Sequence, residues 1–189
     1  MNLFELAISK KLFGSGGTSG GTSGGGTSGA DDSQLIGVLD GTLANPIFPE
    51  GLTTLREYAF YQNATLVNPA LPSSLTSIGE RAFYECTNLA LTELPRGLTS
   101  VGSFAFYYCS NLALTELPSG LTSIGAKAFN YCTKLTSMTF KGTPTSIASN
   151  SFANCINLTT INVPWAEGEV ANAPWGATKA TINYNYTGE

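Results

Sequence analysis

No histidine occurs anywhere in the 189 residues. That absence excludes Ser-His-Asp and Cys-His nucleophilic catalysis, together with most zinc and iron sites built on imidazole. Charge is scarce as well: only 12% of the chain is Asp, Glu, Lys or Arg, about half the usual share. The surface must therefore be covered largely by Thr, Ser, Asn, Tyr and Gly, a composition common in extracellular and particle-surface proteins. The net charge is −4 and Lys10-Lys11 is the only adjacent basic pair, so no nucleic-acid partner is expected. No run of about 18 apolar residues is present, which leaves no candidate transmembrane helix. No cofactor and no metal are expected.

The N-terminal stretch does not read as a signal peptide. Its apolar run, Leu3 to Ile8, is interrupted by Glu5 and followed, not preceded, by lysines, so export by that route is not expected. Residues 1–13 read as a short helix, with Leu3, Phe4, Ala7, Ile8, Leu12 and Phe13 on or beside one apolar face. A helix this short is marginal in water unless it docks. Three roles remain open for it: a frayed start, a docking peptide for a protein partner, or a membrane-surface helix. Residues 14–29 are almost wholly Gly, Ser and Thr and read as a flexible tether. Residues 30–51 return to ordinary composition and read as an N-terminal cap.

What the chain has in abundance is periodicity. Phenylalanines stand at Phe60, Phe83, Phe106, Phe129 and Phe152, each 23 residues after the last. Ala59, Ala82, Ala105, Ala128 and Ser151 precede them, and Asn63, Cys86, Cys109, Cys132 and Cys155 follow three positions on. Two aliphatic ladders keep the same step: Leu66, Leu89, Leu112, Leu135 and Leu158, and Leu55, Ile78, Val101, Ile124 and Ile147. Residues 52–164 thus hold five units in strict register. A unit of this size cannot offset its own ordering entropy, so the units must stack and cover one another. Leu-Thr-Ser-Ile reads as a short strand. Ala-Phe-x-x-Cys reads as one helical turn, and the following segment as a return strand that proline closes in most units. The fold expected is a repeat solenoid with short parallel strands, short helical turns and β-rich caps. Residues 165–189, with Trp165, Trp175 and the alternating run Thr181 to Tyr186, read as the C-terminal cap.

The unit from Leu52 to Pro164 resembles the 23-residue class of leucine-rich repeat found in BspA-like proteins. The resemblance rests on the Leu-x-x-Ile-(Gly)-x-x-Ala-Phe-x-x-Cys-x-x-Leu pattern. It implies a right-handed coil with parallel strands on at least one face, acting mainly by binding and often at surfaces. Departures fall at the ends: Asn63 replaces Cys, Pro69 falls in the first return strand, and Pro144 replaces Leu. The order of peptide, tether, repeats and Trp-rich ending is also similar to repeat proteins carried by bacteriophages and prophages.

Three constellations could carry chemistry. The cysteine column reads as inward core thiols, with crosslinks and a metal site as weaker alternatives because parallel side chains suit neither geometry. Glu93 and Glu116 share one slot and read as a solvated strand face, against acid/base or cation-binding work. Tyr61, Tyr84 and Tyr107 share a slot, and Tyr108 and Tyr131 the next. These five either form a recognition stripe for protein or glycan, or pack over the turn and seal the coil edge. The functional expectation is a non-enzymatic binding protein on a phage particle, docked to a capsid or tail component and facing a host-surface protein or glycan. The alternative is a bacterial cell-surface leucine-rich-repeat adhesin, and a homo-oligomer is compatible with either.

Overall fold

The computed structural model describes residues 44–46, 48 and 51–188. The helix expected over 1–13 (Leu3, Phe4, Ala7, Ile8, Leu12 and Phe13), the tether over 14–29 and most of the cap over 30–51 lie outside the described residues.

Among the described residues nine short strands wind into a parallel solenoid. On one face lie β1 (Thr54–Leu55), β2 (Ser77–Ile78), β3 (Ser100–Val101), β5 (Ser123–Ile124) and β7 (Ser146–Ile147), paired in that order. Their register steps by one repeat each time: Leu55 faces Ile78, Ile78 faces Val101, Val101 faces Ile124 and Ile124 faces Ile147. The aliphatic member points into the core while the Thr or Ser beside it stays partly or fully exposed. β4 (Glu116–Leu117), β6 (Ser137–Phe140), β8 (Thr160–Asn162) and β9 (Thr181–Asn183) form the return face, again all parallel. Among the described residues no strand pair joins the first two coils on that face. Pro69 offers no N–H there, and the coils part to leave a cleft of about 600 Å³ between Asn68, Leu71, Glu93 and Leu94.

The segment joining the two faces is not the helical turn that the Ala-Phe-x-x-Cys spacing suggested; no helix forms among the described residues. It is a run of tandem β-turns. In the first coil Ala59 N–H donates to Arg56 O, Tyr61 N–H to Tyr58 O and Asn63 N–H to Phe60 O, at 3.0–3.3 Å. The alternate N–H groups point along the solenoid instead, Tyr58 to Glu80 O, Phe60 to Ala82 O and Gln62 to Tyr84 O, at 2.7–2.9 Å. A helix would have spent all of these donors within its own turn. Tandem turns use half of them to bond the next coil, and the pattern repeats at Arg81, Phe83 and Glu85 and at Phe104, Phe106 and Tyr108. The geometry requires left-handed backbone at two positions in each of the first four coils and at one in the fifth, as the third residue of a type II turn does. None of the residues there is glycine: Tyr58, Arg81, Phe104 and Lys127 hold φ of 53–59°, and Gln62, Glu85, Tyr108, Tyr131 and Asn154 hold 54–60°.

The phenylalanines form the axis of the core. Phe60, Phe83, Phe106, Phe129 and Phe152 stack with ring centroids 5.1–5.3 Å apart and planes within 13° of parallel. Phe48 closes this column edge-on against Phe60 at 5.7 Å. At the other end the chain past Pro164 makes one further, shortened coil. Trp175, 23 residues after Phe152, accepts the Phe152 N–H through its carbonyl and is fully buried. Val170 is buried one repeat beyond Ile147. β9 pairs with β8 at a register of 21 residues (Thr160 opposite Thr181), which is how the winding tightens as it ends.

Glycine holds the slot where the turn leaves the first sheet in the second, third and fourth coils, with Ala148 in its place in the fifth. A Cβ on Gly79, Gly102 or Gly125 would lie 2.5–2.7 Å from a backbone nitrogen of the preceding coil. Gly102→Ala is therefore expected to cost about 1–3 kcal/mol, an overpacking that the backbone must shift to relieve, while Gly120→Ala, with only distant carbonyls near it, should cost well under half of that. Urea unfolding followed by circular dichroism measures both. The left-handed sites carry the opposite expectation: Lys127→Val should be less stable than Lys127→Gly by about 1–2 kcal/mol, since only the β-branched residue is penalised at positive φ.

Candidate functional site

The turns expose what the strands do not: large aromatic side chains in columns. Each turn buries its Ala-Phe pair and carries its outer side chains on either side of that pair, and stacking brings equivalent residues over one another. One column runs Tyr58, Arg81, Phe104, Lys127; the next Tyr61, Tyr84, Tyr107, Asn130; the third Gln62, Glu85, Tyr108, Tyr131. The sequence-level stripe is thus brought together on one face, but its five tyrosines are not alike.

Tyr61, Tyr84 and Tyr107 form a second ring stack, parallel to the phenylalanine column and outside it, with centroids 4.9 and 4.8 Å apart and planes at 12° and 10°. The stack covers both faces of Tyr84 and one face each of Tyr61 and Tyr107. The stack stops where Asn130, buried and accepting from Asn154 Nδ2 at 3.3 Å, takes the fourth slot. Tyr131 turns its ring into the space beside Tyr107, edge-on at 5.8 Å, and tilts against Tyr108 at 5.3 Å. Tyr108 is 45% exposed and Tyr131 38%, against 41% for Tyr61, while Tyr84 and Tyr107 are half-buried. Burial first, then the negative charge of Glu85, pushes the Tyr84 hydroxyl pKa up. Burial first, then Tyr131 and Glu85, does the same to Tyr107.

The first column went unread in the sequence because its residue types differ, although the step of 23 was there to find. Arg81 lies over two rings, 5.5 Å from the Tyr58 centroid and 4.7 Å from Phe104. Its Nη1 also donates to the Tyr58 hydroxyl at 2.8 Å and pairs with Glu80. Lys127 sits over the other side of Phe104 at 5.5 Å. Cations and aromatic rings alternate along this column, each contact contributing about 0.5–1 kcal/mol at an exposed site.

The remaining constellations resolve into structure. Cys86, Cys109, Cys132 and Cys155 are free and buried, and each thiol donates to the carbonyl of the phenylalanine one coil back, at 3.0–3.1 Å. Asn63, in the same slot of the first coil, instead caps Thr65 and Leu66 N–H through Oδ1. Burial pushes the Cys86 and Cys155 thiols up to about 12, and Cys109 and Cys132 well above their ordinary value. Glu93 and Glu116 are exposed on the return face, where Glu116 pairs with Lys141 at 2.8 Å. Among the described residues there is no group of three or more potential metal ligands, and no helix long and apolar enough to cross a membrane.

With this geometry in hand, comparison with known proteins is informative. Residues 43–172 match the model of the BspA type leucine rich repeat region, in six copies. A leucine-rich repeat protein of T. pallidum has 28% identity and a TM-score of 0.54, over 74% of this chain and 64% of its own. A leucine-rich repeat protein from Bacteroides ovatus has 22% identity and a TM-score of 0.43, covering 64% of this chain and 37% of its own. For a leucine rich cell surface protein from Faecalibacterium prausnitzii the figures are 23% and 0.37, over 62% and 44%. The chain spans less than two thirds of the length of each. No curated protein sequence matches significantly.

The buried thiols give a pH dependence with a definite sign. A thiol whose folded pKa is raised holds its proton more tightly in the folded state. Its contribution is fully present below about pH 9 and is lost as the pH climbs toward about 12. Each such thiol should lower stability by about 1.4 kcal/mol per pH unit across that window. Melting temperature measured from pH 8 to 11 should fall, and a Cys86→Ala/Cys155→Ala variant should fall less steeply. Ellman's reagent at pH 8 should label none of the four thiols before unfolding and all of them after it.

Proposed function

The chain belongs to the BspA-type leucine-rich repeat family, and we propose that it is a non-enzymatic binding protein whose working surface is the tyrosine-bearing turn face. The observation that carries this reading is the concentration of exposed aromatic residues there. Tyr58, Tyr61, Tyr108 and Tyr131 are 38–45% exposed and share one side of the solenoid with half-buried Tyr84, Phe104 and Tyr107. Tyrosine offers contact area at low entropy cost, and clusters of it are what protein-binding surfaces are enriched in. The ring stack favours a protein over a glycan as the ligand, because sugar C–H groups need an open ring face and the stack covers both faces of Tyr84 and one of Tyr107. The sheet faces, by contrast, show solvent Ser and Thr already bonded to the neighbouring coil, as Thr76, Thr99, Thr122 and Thr145 are to the carbonyl one repeat back at 2.9–3.0 Å.

The setting proposed is a bacteriophage particle. Residues 1–13 dock the protein to a capsid or tail component, residues 14–29 give it reach, and the solenoid is presented to the host. The sequence order of peptide, tether and repeats supports this. A second reading, a bacterial cell-surface adhesin, draws on the leucine-rich repeats themselves, whose resemblance implies binding at surfaces.

Two measurements test these readings. Deleting residues 1–13 should abolish incorporation into particles and leave the thermal transition unchanged; unchanged incorporation would sink the docking role. A Tyr84/Tyr107/Tyr108/Tyr131→Ser variant should bind host cell surfaces at least about tenfold more weakly than the parent, the loss expected when hot-spot aromatics go, with arrayed glycans bound equally weakly by both. Equal cell binding by variant and parent would remove the turn face from consideration.

A further inference from the structure

On the turn face, between the first and third coils, a shallow dish is lined by Gln62, Ala64, Glu85, Thr87, Tyr107 and Tyr108. We propose that this dish is a binding site for an organic cation, the guanidinium or alkylammonium group of a partner. The proposal rests on reading the turn face as the binding surface and names what one part of it recognises.

Glu85 is the centre of the site. It sits at a left-handed backbone position, φ 54°, directly between Gln62 and Tyr108 in the third column, which hold the same conformation at 57°. Its carboxylate is held in place, with Oε2 accepting from Gln62 Nε2 at 2.8 Å. It is half-buried, yet among the described residues it has no cationic partner: the ion pairs there are Arg81 with Glu80 and Lys141 with Glu116. An oriented, partly desolvated carboxylate without a counter-charge attracts a cation more strongly than a freely hydrated one does. The Tyr84 and Tyr107 hydroxyls feel that negative charge, which contributes to their raised pKa.

The walls supply the rest. Tyr108, 45% exposed, stands 6.3 Å from Tyr107 and tilted 37° to it, so one open ring borders the carboxylate while Tyr107, stacked on Tyr84, closes the wall. Ala64 and Thr87 give an uncharged floor. This combination suits a cation with a broad, weakly hydrated surface better than a metal ion, since two tyrosine rings and one carboxylate offer few oxygen ligands. The neighbouring column shows that the face seats such groups: Arg81 and Lys127 lie on Phe104 at 4.7 and 5.5 Å. In that column the chain provides its own cations. In the column of Glu85, Tyr108 and Tyr131 it provides the anion and the rings, and the cation must come from outside.

The test uses the full chain and tyrosine-ring NMR. Tetramethylammonium and N-acetylarginine amide are titrated separately, with N-acetylcitrulline amide as the uncharged isostere of the second. Saturable shifts confined to Tyr107 and Tyr108 are expected with the cations, at dissociation constants on the order of millimolar, and none with citrulline. Whichever cation binds more tightly identifies the head group. Glu85→Gln should weaken binding at least about tenfold, while Glu116→Gln, on the return face, should bind as the parent does. Tyr108→Leu provides a second loss that does not alter charge. Equal binding of citrulline, or undiminished binding by a folded Glu85→Gln protein, would overturn the proposal. The cell-surface measurement separates the two levels: a Tyr84/Tyr107/Tyr108/Tyr131→Ser variant that loses cell binding while neither cation binds the parent overturns the cation site and leaves the turn face standing.

Discussion

Hydrogen bonding between successive coils sets an axial step of about 4.8 Å, and every column of side chains has to live with that step. Flat rings suit it, which is why phenylalanines at 5.1–5.3 Å and tyrosines at 4.8–4.9 Å can occupy one slot through coil after coil. Glycine suits it where backbones come closest: at Gly79, Gly102 and Gly125 a single methyl would hold the coils apart. Like charges do not suit it. The charged slots therefore break their columns, as Tyr58, Arg81, Phe104 and Lys127 do, or stay solvated, as Glu93 and Glu116 do on the return face. The low charge content follows from the step as much as from the protein's surroundings.

The same constraint explains the small polar residues. A stacked coil exposes carbonyls that a neighbouring N–H does not fully satisfy, and short donors reach back to them. Thr99 does so on the strand face, Asn111 on the far side of the turn at 2.9 Å, and Cys109 inside the core at 3.0 Å. The thiol is thus a donor as well as a filler. It serves the buried carbonyl of Phe83, which already accepts the Cys86 N–H. Ser151, in the alanine slot of the fifth coil, shows the principle again, its one O–H shared between Gly125 O at 3.0 Å and Ala148 O at 2.8 Å. No buried side-chain polar atom among the described residues is left without a partner.

Counting by 23 made the aliphatic ladders, the phenylalanine axis and the inward cysteines legible before any coordinates, because burial restricts those slots to a few residue types. The turn conformation was not legible. Tyr58, Arg81, Gln62 and Glu85 carry no mark of left-handed backbone, a state normally signalled by Gly or Asn, and only the demand for forward hydrogen bonds puts them there. Trp175 was within reach of arithmetic, one step past Phe152, but the change from Phe to Trp and the shortened coil around it hid the continuation. At the candidate site the sequence placed the tyrosines on one face. It did not reveal that Tyr61, Tyr84 and Tyr107 stack on each other, because that depends on side-chain rotamers, or that Glu85 belongs with them.

The alternating donors of the tandem turns have an electrical consequence. From Tyr58 through Phe152 the inter-coil N–H groups of the turn face all point toward the C-terminal end, and the carbonyls that receive them all point back. The peptide units are aligned head to tail across five junctions between coils, much as they are in an α-helix, where such alignment amounts to about half an elementary charge at each end. Here the polarity is reversed with respect to chain direction and is carried between coils rather than along a single segment. One edge of an almost uncharged solenoid is therefore a molecular dipole, negative beside the first coil and positive beside Trp175.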